Sequence, residues 1–78
     1  MASILSSGDG KSAKTAFFVV YQREEYLVAR FLNLQPTAQS LVPKDGHYYD
    51  VLETTDKDGK SRELWFEADT ILRLEAAR

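Results

Sequence analysis

Seventy-eight residues, 44% of them hydrophobic and 28% charged, make one ordinary globular domain with no room for a second core. A formal charge of −2, with the acidic excess in the C-terminal half, argues against the basic footprint of a duplex nucleic-acid binder and against a polybasic membrane patch. The absence of cysteine removes disulfide staples, thiolate catalysis and cysteine-ligated zinc, and fits a cytoplasmic location.

The first residues, "MASILSSGDGKSAKT", are small, polar and glycine-containing, so residues 1–14 are expected to be a flexible tail, with a short strand at "SIL" as the alternative. Residues 15–78 then form the single β-rich domain. "TAFFVVYQ" carries β-branched and aromatic residues on both sides of a period-two pattern, which predicts a strand covered on both faces or lying centrally in a sheet. Its apolar core, Ala16 to Tyr21, is well short of the ~20 residues that cross a bilayer. It also makes a poor signal-peptide core, since "QREE" follows at once.

"REEYLVARFLNLQP" fits two periods. Leu27, Phe31 and Leu34 fall at helical spacing, while Tyr26, Val28, Arg30, Leu32 and Leu34 alternate as on a strand. No Ser, Thr, Asp or Asn stands at Tyr21 to Arg23 to cap a first helical turn, which favours the strand; a helix over about 23–34 is the alternative. Pro36 is expected to end either element. "PTAQS" reads as a loop or a single helical turn, Pro43 confines the short piece after it to a sheet edge, and Asp45-Gly46 marks a hairpin turn.

"HYYDVLETT", "DKDGK" and "SRELWFEA" form the best-defined hairpin. Aligned as a calcium loop, the middle stretch would put Thr54 at the first ligand position and Trp65 at the twelfth, where a bidentate glutamate is required. It is therefore read as a turn set by Gly59. A four-residue loop pairs Glu53 with Arg62 and Val51 with Leu64, gathering Tyr49, Val51, Leu64 and Phe66 on one face. A three-residue loop would set Leu52 opposite Leu64 and Val51 opposite Trp65. The four-residue register is expected because it collects the apolar residues. "DTILRLEAAR" closes the chain as a last strand or as a helix capped by Asp69.

The chemistry-bearing residues are few. His47 and Asp50, three apart in a strand, point to opposite faces. The carboxylate pairs Asp50–Glu67 and Glu24–Glu25 have no visible nucleophile or oxyanion partner, and no phosphate loop or H-E-x-x-H occurs. The chain is expected to be no enzyme and to carry no metal or cofactor. The expected register leaves a second face of Tyr48, Leu52 and Trp65 rimmed by Glu63 and Glu67, a candidate binding surface. The run "YYDVLETTDKDGKSRELWFEADTILRLE" resembles the last strands of Tudor- and KOW-type small β-barrels, which implies a barrel and assigns no functional residue.

The sequence therefore predicts a mainly β domain, a small barrel or strongly bent antiparallel meander of about five strands. The alternative is an α+β fold with one helix packed on an antiparallel sheet. The expected function is a non-catalytic interaction module that binds a protein partner or self-associates as a homodimer through Trp65, Tyr48 and Leu52. Binding of single-stranded nucleic acid or a small ligand is the alternative; no membrane association is expected.

Overall fold

Two tight turns fold residues 35–67 into an antiparallel meander of β2 (Gln35–Lys44), β3 (His47–Thr55) and β4 (Ser61–Glu67). The computed structural model describes residues 2–76. A two-residue strand β1 (Phe17–Phe18) adds in parallel to β4, giving a mixed sheet of order β1-β4-β3-β2. Helices α1 (Ala2–Leu5), α2 (Arg23–Phe31) and α3 (Asp69–Ala76) complete the fold. The core joins Val28 and Ala29 of α2 and Ile71 of α3 to Phe17, Leu52, Leu64 and Phe66 of the sheet, with Ile4 and Leu5 of α1 packed against it. The molecule is a small α+β domain. No helix among the described residues is long and apolar enough to cross a membrane.

The expected barrel does not close. β2 and β1 are the free edges; β2 contains Pro36 and Pro43, and β1 is only two residues long. Proline removes a ladder donor and a short edge offers little to pair with, so neither edge invites another strand. "TAFFVVYQ" is thus an edge rather than a central strand, with Phe17 buried and Phe18 half-exposed. "PTAQS" belongs to β2, and Pro36 lies inside that strand at an irregularity between Pro36 and Ala38.

Residues 23–31 are helical, against the expected strand, and the missing cap explains the discrepancy. Glu24 reaches back, its Oε1 accepting from the backbone N–H of Val20 (2.7 Å) and Tyr21 (2.8 Å). The N-cap residue Gln22 makes no side-chain cap bond; a glutamate in the first turn instead holds the backbone that enters the helix, as the glutamate half of a capping box does. The buried stripe is Glu25, Val28 and Ala29 at i, i+3 and i+4, whereas Leu27 and Phe31 face outward. The helix stops at Asn33, not at Pro36: Asn33 has φ 59°, its N–H donates to the Arg30 carbonyl, and the Leu34 N–H donates to Ala29. This is the Schellman arrangement, with Asn33 in the left-handed conformation and an apolar residue following it.

The segment expected to be a tail lies along the edge of the sheet. The Trp65 N–H donates to the Gly10 carbonyl (2.8 Å), and the Phe18 N–H donates to Ser7 Oγ (2.8 Å). "SIL" lies in α1 instead of pairing as a strand.

Asp45 and Gly46 turn the β2–β3 hairpin with φ 53° and 80°, the positive pair that a two-residue primed turn requires. The β3–β4 register is the one that was not expected: Leu52 opposes Leu64, Val51 opposes Trp65 and Glu53 opposes Glu63. Asp56 closes the loop. Its N–H donates to the Lys60 carbonyl, while its Oδ1 accepts from the N–H groups of Asp58 and Lys60 at 2.9 Å each. Lys57, Asp58 and Gly59 then form a three-residue loop, a tight turn followed by Gly59 at φ 80°. A Cβ on Gly59 would meet nothing within 4 Å, so Gly59→Ala is expected to cost only the backbone penalty of about 1 kcal/mol. Urea unfolding checks this, and a loss several times larger would show that the loop carries more than its backbone conformation.

Candidate functional site

The shifted register sorts the expected binding residues onto two faces. Trp65, Glu63 and Glu67 lie on the face away from the core, beside Tyr49 and Val51 of β3 and Val42 of β2. Leu52 points into the core at 1% exposure. Tyr48 shares Leu52's side of the sheet and stays exposed near its end, its backbone N–H donating to Asp69 Oδ1 (2.9 Å). The surface centred on Trp65 therefore keeps Glu63 and Glu67 but takes its β3 neighbours, Tyr49 and Val51, from the face that the expected register had made the core.

That face has internal order. The Tyr49 and Trp65 rings meet edge to face, centroids 5.8 Å apart at 62°. Lys44 Nζ stands 5.9 Å from the Trp65 centroid, and Trp65 Nε1 points at Glu63 Oε1 (3.4 Å). Val51, opposite Trp65 on the same face, is buried. Glu53 and Glu63 stand exposed beside it, Glu67 is turned to the start of α3 with its Oε2 buried, and the core helices pack on the opposite side.

A second polar arrangement lies on the helix side. Glu25, in the buried stripe of α2, is fully buried, and Asp50 of β3 is nearly so. Gln39 Nε2 approaches Glu25 Oε1 at 3.4 Å, and the Tyr26 hydroxyl donates to Gln39 Oε1 at 2.7 Å. Glu25 Oε2 has no hydrogen-bond partner among the protein groups described. Burial pushes the Glu25 carboxyl up to about 9, and the neighbouring Asp50 carboxylate adds to the rise. The acid is therefore protonated at neutral pH. Above the pair opens a cleft of about 290 Å³ formed by Gln39, Leu41 and Asp50 of the sheet, Gln22 just before α2, and Leu72 and Glu75 of α3.

The sequence pairs do not survive. Asp50 and Glu67 are on opposite faces, since Asp50 opposes Phe66, and Glu24 caps α2 while Glu25 is buried. The signal that was available was a glutamate at the same helical spacing as Val28 and Ala29. His47 finds a partner 22 residues away: its Nδ1 lies 2.7 Å from Asp69 Oδ2. The Tyr48 N–H and then the His47 contact hold the Asp69 carboxyl below its ordinary value. Asp69 thus ties α3 to β3 rather than capping its own helix; at the start of α3, Glu67 Oε1 accepts from the Thr70 N–H (3.0 Å).

A family model described as "Domain of unknown function (DUF4919)" matches residues 1–76. The chain belongs to the DUF4919 family. No curated protein and no solved structure matches it. The match spans the N-terminal segment as well as the sheet, so this DUF4919 chain matches its family along all three helices and the whole meander.

Proposed function

We propose that this DUF4919 domain is a non-catalytic interaction module that binds a basic, apolar segment of a partner protein on its open sheet face. The reading rests on the Tyr49–Trp65 pair, set with Val42 on a face that the core helices leave free and bordered by the exposed Glu53 and Glu63. Large aromatic side chains with a charged rim are the usual energetic centre of a protein interface. The rim chooses the partner's charge. Two copies meeting across Trp65 would bring the glutamate rims together, and an oligonucleotide would bring phosphate to them, whereas lysines and arginines flanking an apolar residue complement them.

Defined peptides that alternate apolar residues with lysine or arginine test the reading against peptides bearing aspartate or glutamate in the same places. Trp65→Ala is expected to weaken binding of the basic peptides by about thirtyfold, the effect of losing an interface anchor. Equal binding of basic and acidic peptides, an unchanged affinity in the folded variant, or a dimer in sedimentation that Trp65→Ala dissociates would each overturn the assignment.

A further inference from the structure

The open face already holds a cation. Lys44, the last residue of β2, shares its side of the sheet with Val42, Tyr49 and Trp65, and its ammonium lies over the Trp65 ring, 5.9 Å from the centroid. β3 stands between the two strands, so the lysine reaches across it to arrive there. The ammonium is not drawn to a carboxylate instead: among the described residues the one ion pair is His47–Asp69, although Glu53 and Glu63 stand exposed on the same face. We propose that the Trp65 ring is the seat for a cationic side chain of the partner, and that Lys44 is a resident stand-in which the partner's arginine or lysine displaces. The proposal rests on the basic-segment reading above and fixes where that segment's charge docks.

The surroundings of the ring suit this role. An indole face attracts a cation more strongly than a phenol or a phenyl ring does. The edge-to-face contact with Tyr49 holds the indole in one orientation. Trp65 Nε1 points at Glu63 Oε1 (3.4 Å), which places a counter-charge at the edge of the ring. Lys44 itself is exposed, at the end of an edge strand and just before the Asp45-Gly46 turn, so its side chain can swing away without disturbing the sheet. An exposed contact of a cation with a ring changes an affinity only a few-fold, which is what a displaceable occupant requires.

The test titrates peptides that alternate arginine with apolar residues, at fixed ionic strength, against the whole chain and against Lys44→Gln, Lys44→Arg and Lys57→Gln. Lys57 lies in the β3–β4 loop beside the end of α2 and controls for the loss of one positive charge. Lys44→Gln is expected to bind about twofold to fivefold more tightly than the parent, and Lys44→Arg and Lys57→Gln to bind as the parent does. The chain has one tryptophan, so its indole N–H signal in NMR reports on the seat with no partner present. That signal is expected to move in Lys44→Gln and to stay in Lys57→Gln. Unchanged or lower affinity in Lys44→Gln, an equal gain in Lys57→Gln, or an indole signal indifferent to Lys44→Gln overturns the stand-in and leaves the interaction module in place. Absence of peptide binding by the parent and every variant overturns both.

Discussion

Phe66→Ala is expected to leave the domain largely unfolded at physiological temperature. Phe66 is fully buried at the centre of the core, its ring centroid 5.5 Å from that of Phe17 and its strand position between the buried Leu64 and Ala68. Truncating a buried phenylalanine costs about 3–5 kcal/mol, because transfer energy is lost and the cavity refills only in part. A domain of this size holds roughly 4–12 kcal/mol in total, so one side chain consumes much of the margin. Phe18→Ala is the control: Phe18 is half-exposed on the outer face and should cost less than about 1 kcal/mol. Urea unfolding read by circular dichroism separates the two. Comparable losses for both variants would mean that the core does not lie on Phe66's side of the sheet.

The residues that set turns were legible because their chemistry is local. Asp45-Gly46 and Gly59 need positive φ, and glycine or aspartate next to glycine is how a chain provides it. The register between those turns was harder to read, since it depends on whether Asp56 closes the loop with its own carboxylate. A one-residue difference exchanges the two faces of β3 relative to β4. The rule of gathering apolar residues on one face failed for a physical reason. The outer face carries Val42, Tyr49, Val51 and Trp65, so apolar content did not distinguish the core side from the open side. The β4 residues of the open face, Glu63, Trp65 and Glu67, are legible as surface candidates, but Tyr49 and Val51 beside them on β3 are not.

Helix α2 was obscured for a related reason. The expected cap before the helix is absent, and Glu24 instead holds the entering backbone from within the first turn, where a glutamate carries no distinctive spacing. Leu27 and Phe31 are also large and apolar, so the outward face imitated a core stripe. Glu25 was the least legible residue of all. Its helical spacing with Val28 and Ala29 says only that the three share a face, and where α2 lands on the sheet decides that this face, and not that of Leu27 and Phe31, is buried beside Asp50.

That burial has a consequence in solution. Stability is expected to fall as pH rises from about 4.5 towards 9, the interval between the ordinary value of a glutamate and the raised value of Glu25. Below that interval both the folded and the unfolded chain hold the proton, and the contribution of Glu25 is fully present. Within it the unfolded chain releases the proton while the folded chain retains it, so each pH unit costs on the order of 1 kcal/mol. Above about 9 the folded chain must ionise Glu25 against Asp50, and the decline levels off in a much weakened domain. Asp69 acts in the opposite sense: its carboxyl is held low by the Tyr48 N–H and His47, so its contribution is lost as pH falls through the carboxylate range. The two residues together place the stability maximum in mildly acidic solution. Glu25→Gln removes the alkaline limb, because the amide remains neutral and can still donate to the Asp50 carboxylate. The variant should be more stable than the parent by about 2–3 kcal/mol just above neutrality and close to it in mild acid. Urea midpoints across the range measure this, and parallel pH profiles for the parent and Glu25→Gln would show that Glu25 does not carry the buried proton.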